Sequence, residues 1–232
     1  MANRTYLYAL DFDPAEEPHR TGGRSRVIAE YNSYLPLPFQ ILVSADPRIC
    51  RSMAGAPGDS VAIRGCYDKG RDRLLRFLEE LSSRDLYPGT ELSLRIRRTR
   101  AFLNNDGNRP GYVVLECAEL FGTGDEEPEK QYAELYEEIC NIDDLIADFY
   151  TEVEVFNLRL QALRKQLEEQ RRPAGLLQKL FGRETVSGTK ALEQEIARIE
   201  QEKWFILGID GWNDHPVSQN ETDSNAQPEA SF

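Results

Sequence analysis

The sequence predicts an α+β fold: a small sheet with helices in the N-terminal part, followed by a long antiparallel helical hairpin. Three observations predict it. Short aromatic and β-branched runs bounded by glycine and proline recur before residue 121, which is the composition of strands between turns. Helical periodicity then runs from Glu129 to Gln170 without such punctuation. A second helical pattern follows Ser187, Gly188 and Thr189, with Ala191, Leu192, Ile196, Ile199 and Trp204 in phase, so the two helices can fold back on each other.

Taken in order, Thr5–Phe12 (TYLYALDF) reads as a strand and the proline- and glycine-bearing DPAEEPHRTGGR as a loop. Ser25–Tyr34 reads as a short helix stopped by Pro36 and Pro38, and Phe39–Ser44 (FQILVS) as an apolar strand. Asp46 before Pro47 reads as a helix start, with the helix continuing to Met53. Ser60–Tyr67 is open between a strand and the lead into the next helix. Asp68 is expected to cap an amphipathic helix that carries Leu74, Leu75, Phe77, Leu78 and Leu81 on one side. A further helix is expected over Glu91–Leu103, a turn over 104–110, and a strongly apolar strand over Tyr112–Ala118.

Gly122–Pro128 marks a boundary, with Pro128 at the natural first position of the next helix. The chain thereby divides into an α+β part over 1–121, a hairpin over 129–212 and a polar tail over 216–232 that has the composition of a disordered segment. In the long helix, Tyr132, Tyr136, Ile139, Ile142, Ile146, Phe149, Val153, Phe156, Leu160, Leu163 and Leu167 keep a 3/4 rhythm, the stripe of a helix packed along another. The connector after it holds Leu176, Leu177, Leu180 and Phe181, which reads as a small cap over the hairpin tip or as an exposed apolar patch.

Charge is the second organising feature. The chain has 232 residues and a net charge of −12, with hydrophobic content of 40%, enough for a real core. All of the excess acidity lies beyond residue 120. Asp125 to Glu154 hold twelve carboxylates against Lys130, a net of −11, whereas Val155 to Arg183 hold seven bases against Glu168 and Glu169, a net of +5. An acidic surface disfavours nucleic acid as a ligand and favours a basic protein partner. No stretch has the pattern of a signal peptide or a membrane span, and Cys50, Cys66, Cys117 and Cys140 lack metal-site spacing, so the expectation is a cytoplasmic protein with reduced, buried thiols.

Chemistry has little to work with. His19 and His215 sit in polar loops, and no nucleophile elbow, phosphate-binding loop or dinucleotide motif is present, so neither an enzyme nor a cofactor is expected. The carboxylates Glu134, Glu137, Glu138, Asp143, Asp144, Asp148 and Glu152 read as a solvated face, a docking face for a basic protein or a divalent-cation site. The cation reading lacks the glycine-bearing loop of a calcium site and the helical histidines of a di-iron bundle. Like charges at i, i+3 and i+4 repel by about 0.2–0.5 kcal/mol per pair, and favourable helix-dipole effects fade within one turn, so the length of the acidic run points to a partner. Pairing of two copies through the long helix, acidic half on basic half, is the alternative.

The segments MANRTYLYALDF, LPFQILVSADPRICRSM and GYVVLECAELF resemble a group of bacterial proteins that share an MANR-x-YLY start. The overall form resembles the immunity proteins that neutralise type VI secretion toxins, nucleases included. What the resemblance implies is a cognate toxin as partner, bound through an acidic surface that imitates phosphate charge. It assigns no residue a role.

Overall fold

The computed structural model describes residues 3–17, 24–53, 61–105, 109–121, 127–171 and 185–212. Among them β1 (Arg4–Leu10), β2 (Ser25–Asn32), β3 (Arg48–Arg51), β4 (Val61–Cys66) and β5 (Tyr112–Glu116) form one antiparallel sheet in the order β2-β1-β5-β4-β3. Between and after them lie α1 (Leu37–Val43), α2 (Tyr67–Ser83), α3 (Glu91–Leu103), α4 (Ala118–Phe121), α5 (Pro128–Cys140), α6 (Ile142–Arg171) and α7 (Thr185–Leu207). The fold is therefore α+β, with the sheet in the N-terminal part and the long helices after it.

The sheet is two-faced. Alternation along β1 and β5 sends Leu7, Ala9, Val113 and Leu115 into the main core under the helices, while Leu10 and Val114 join a smaller cluster with Phe12, Cys50 and Ala62 on the other face. The main core continues into α2, where Leu74, Leu78 and Leu81 are fully buried, each contributing about 1.5–3 kcal/mol. It extends without a break through Tyr132, Leu135 and Ile139 of α5 to Phe149, Tyr150 and Val153 of α6. The buried residues on the two sides of residues 122–126 thus belong to one core.

Three N-terminal expectations are corrected. Ser25–Asn32 is a strand, not a helix, because a bulge opposite Leu7 and Tyr8 buries Ile28 and Ala29 side by side and erases the strand's period of two. Leu37–Val43 is a helix, not a strand. All seven of its residues are buried, so no periodicity marks it, and Pro38 starts it instead of ending what precedes it. Asp46 begins no helix: it takes a left-handed φ of 55° and gives its carboxylate to Arg64, and β3 follows. Close approach completes this region, since a Cβ on Gly70 would lie 1.8 Å from the Leu42 carbonyl oxygen and one on Gly65 2.3 Å from that of Val43.

Smaller corrections follow. Asp68 lies in the first turn of α2, whose N-cap is Cys66, and bonds Arg71 and Arg109 instead of capping. The strand over Tyr112 ends at Glu116, and α4 takes up Ala118. Cys50 and Cys117 are buried, whereas Cys66 is half-buried and Cys140 is exposed. His19, His215, the connector leucines and the tail lie outside the described residues.

The C-terminal return locks the assembly. Gly208 ends α7 at φ 58°, its N–H bonding the Trp204 carbonyl. Trp212 then bridges Ala29 at the edge of β2, stacks on Phe102 and donates its indole N–H to Thr99 at 3.1 Å. This covers one edge of the sheet; the other, β3, is four residues long and carries Arg48 and Arg51.

Candidate protein-binding surface

The predicted single helix is broken at Asn141. Its backbone (φ −103°, ψ 36°) leaves the helical region, its N–H and side-chain amide bond the last carbonyls of α5, and its own carbonyl accepts the Asp144 N–H. One asparagine therefore closes α5 and opens α6. The stripe nonetheless survives the break: all eleven of its residues are buried or half-buried. Tyr132 anchors α5 by accepting the Cys117 N–H at 3.0 Å, and Tyr136 by donating to the Pro47 carbonyl at 3.3 Å. Phe149 and Tyr150 anchor α6 against Phe77, with ring centroids 5.6 and 5.9 Å away.

With the stripe inside, the opposite faces turn outward, and Glu134, Glu137, Glu138, Asp143, Asp144, Asp148 and Glu152 are all exposed. The break sorts them into two sets. Glu134, Glu137 and Glu138 belong to α5, where Glu134 and Glu138 are one turn apart and close enough that burial and then the Glu134 charge push the Glu138 carboxyl up. Asp143, Asp144, Asp148 and Glu152 belong to α6, with Asp144, Asp148 and Glu152 in one row at i, i+4 and i+8. Lys130 meets Glu134 at 3.5 Å and Arg73 of α2 meets Asp143 at 2.8 Å. Among the described residues the other five make no ion pair.

The break also changes the dipole argument. Asp143 and Asp144 lie in the first turn of α6, where negative charge is favourable by about 0.3–1 kcal/mol. Glu137 and Glu138 lie in the last turn of α5, which contains no base, so both oppose the dipole there. Their position opposes the α5 dipole, and among the described residues no ion pair offsets it.

The basic half of α6 is different. Arg159 bonds Glu195, Arg164 bonds Glu200 at 2.6 Å, and Arg171 bonds Glu193 at 2.5 Å, all across the hairpin to α7. Arg198 adds bonds to Glu195 and Glu202. Three of the seven bases counted in the sequence are thus met within the chain; Lys165 makes no ion pair among the described residues, and Arg172, Lys179 and Arg183 lie outside them.

Two contributors to the surface were not visible in the sequence. Arg73 reaches Asp143 from seventy residues away, which no local pattern signals. Beside Glu152 lies an aromatic group: Phe205, 43% exposed, has its ring 5.5 Å from Tyr31 and 5.2 Å from Tyr34. Burial first, and then the Glu152 charge, keeps the Tyr34 phenol protonated. Aromatic rings beside carboxylates suit a guanidinium or ammonium group.

A second charged cluster is internal. Arg64 is 1% exposed and is held by Asp13 through two bonds of 3.0 and 2.9 Å and by Asp46 at 3.0 Å. It pins the loops after β1 and α1 to β4, and its hydrogen bonds are taken up in doing so. Among the described residues no three metal-ligating side chains converge, and no helix is long and apolar enough to cross a membrane.

No curated protein and no solved structure matches the chain. A family model described as a domain of unknown function, DUF7822, matches residues 11–156, more than half of the chain and all seven outward carboxylates, and the chain belongs to that family.

Proposed function

We propose that this chain is an immunity protein that binds a cognate secreted bacterial toxin, a nuclease with a basic substrate groove, and neutralises it without catalysing a reaction. The contact surface is the exposed carboxylate face of α5 and α6, and the setting is the cytoplasm of a cell that carries a type VI secretion system. The observation that carries the reading is the placement of Glu137 and Glu138: exposed, in no ion pair among the described residues, and set against the dipole of α5. A basic partner removes that cost on binding and is steered to the face by the field of the whole acidic run. The test is charge reversal at Glu137, Glu138, Asp144 and Asp148 together, which leaves the Arg73–Asp143 pair intact. Association with the co-encoded toxin should slow at least tenfold and co-expression should become toxic; unchanged affinity refutes the docking face.

A second reading has one observation behind it. Val155 and Leu158 on the outer face of α6 are 58% and 66% exposed at i, i+3 spacing, which suits pairing of two copies through the long helix. Against acidic-on-basic pairing stand the α7 glutamates, which already occupy Arg159, Arg164 and Arg171. A monomeric mass by light scattering at both low and high salt removes this reading.

A further inference from the structure

The row of carboxylates on α6 ends beside aromatic rings. Tyr31 at the end of β2, Tyr34 just after it and Phe205 of α7 come together there, with the Phe205 ring centroid 5.5 Å from that of Tyr31 and 5.2 Å from that of Tyr34. Glu152 stands next to them. Burial first and then the Glu152 charge push up the phenols of both Tyr34 and the buried Tyr87. Among the described residues Phe205 is the one aromatic ring that is exposed, at 43%. The support under it is fixed: the Tyr31 hydroxyl donates to the Phe205 carbonyl at 3.1 Å, the Tyr31 ring meets the fully buried Phe39 edge-on, and the Tyr34 carbonyl accepts the Thr5 hydroxyl at 3.2 Å. A partner that lands here orders little on binding.

The chain itself shows what a ring beside a carboxylate holds. Three arginines of the described residues lie over an aromatic ring, and each is also bonded to a carboxylate. Arg84 lies 4.1 Å from the Tyr150 centroid and bonds Glu80. Arg95 lies 4.3 Å from the Trp204 centroid and bonds Glu91 and Asp210. Arg64 lies 5.3 Å from the Tyr112 centroid and bonds Asp13 and Asp46. Arginine suits the arrangement because its planar guanidinium stacks on a ring while its edge N–H groups bond oxygen. No cation of the described residues lies over Phe205 or Tyr34, and the cations of this corner are engaged elsewhere: Arg95 as above, and Lys203 over Tyr87 with Asn157 and the Leu86 carbonyl.

We propose that the corner formed by Phe205, Tyr34 and Glu152 receives an arginine side chain of a protein partner, the guanidinium stacked on the two rings and bonded at its edge to the Glu152 carboxylate. Lysine is the poorer fit, since its ammonium is a compact, strongly hydrated charge that cannot lie flat on a ring. The corner continues the row Asp144, Asp148 and Glu152, so one basic protein can cover both. That this protein is the toxin rests on the reading above; the preference for arginine does not. The two parts act at different stages: the row steers the approach, and the stack, which loses water on contact, sets how long the complex lasts.

The test is an NMR titration of the full chain with acetyl-Gly-Arg-Gly-amide and its lysine and citrulline counterparts. Saturable shifts centred on Tyr34, Glu152 and Phe205 are expected with the arginine peptide, about threefold weaker binding with lysine, and none with citrulline, which keeps the planar shape without the charge. Phe205→Leu keeps apolar cover over Tyr31 and Tyr34 and should weaken the arginine peptide about threefold by removing the ring face. Glu152→Gln, at an exposed position, should weaken it by about as much. No saturable shift, equal binding of the lysine or citrulline peptide, or an unaltered affinity in either variant overturns the proposal. So does a dimer of the chain that forms through this corner and is lost in Phe205→Leu. With the co-encoded toxin, Phe205→Leu should raise the dissociation rate about tenfold and leave the association rate unchanged. An unchanged dissociation rate beside a positive peptide titration removes the toxin as the source of the arginine, and leaves the carboxylate face to its own charge-reversal test.

Discussion

The two halves of α6 have opposite charge and opposite electrostatic fates. In the N-terminal half the apolar stripe enters the main core through Phe149, Tyr150 and Val153, while among the described residues the carboxylates above it make no ion pair except for Asp143. In the C-terminal half the helix runs along α7, and Arg159, Arg164 and Arg171 are bonded to Glu195, Glu200 and Glu193. Packing is strong where the charges are left open and lighter where they are closed. Charge left open on a rigid, well-anchored support suits recognition, because the support does not have to be ordered when the partner arrives.

The sharpest test of that contrast is packing. Phe149→Ala in the first half should cost about 3–5 kcal/mol, the range for a buried aromatic, whereas Leu163→Ala in the half-buried second half should cost about 1–2 kcal/mol. Urea denaturation of the two variants measures both; equal losses would erase the distinction.

The junction of the halves titrates. Lys203 of α7 is 5% exposed and bonds Asn157 at 2.6 Å and the Leu86 carbonyl, with its ammonium over the Tyr87 ring. Burial pulls its pKa from 10.5 down to about 8. Between those values the unfolded chain binds more protons than the folded one, so this group adds stability as pH rises from about 8 to 10.5. The buried Cys50 thiol acts the other way. Burial raises it from 9.0 to about 12, so stability is lost above pH 9, where only the unfolded thiol ionises. Urea midpoints should therefore rise between about pH 8 and 9 and fall above pH 9, where Cys50 and the buried Cys117 thiol, which burial also raises, together outweigh Lys203; Lys203→Met should abolish the rise.

Charge substitutions should separate the halves again on a smaller scale. Arg164→Ala should cost about 0.2–1 kcal/mol, since Arg164 and Glu200 are both about half exposed, and leave partner association unchanged. Glu138→Gln should raise stability by a few tenths of a kcal/mol, as it relieves the end of α5 and the repulsion from Glu134. A thermal melt at low salt reads both; a destabilised Glu138→Gln would show that the carboxylate has a structural partner.

Much of the helical architecture was legible because it is periodic. Glu91–Leu103 matches to the residue, and the eleven-residue stripe predicted which side of α5 and α6 is buried, hence that the seven carboxylates are exposed. The N-terminal half was less legible, for a reason that differs from element to element. In α1 total burial removes the polar face that would reveal a helix, and in β2 a bulge scrambles alternation. Asn141 was hidden because a single residue can cap two helices without disturbing the apolar rhythm around it.

The candidate site was half legible. The amount and position of acidic charge follow from the sequence alone, as does the outward direction of those side chains, because both rest on neighbours three or four residues apart. Which charges remain available is a different matter. It depends on Glu193, Glu195 and Glu200 reaching back across the hairpin, on Arg73 taking Asp143, and on a helix end falling just after Glu138. Those are distances between elements far apart in the chain, and Coulomb interactions are decided by distance and burial, not by order in sequence.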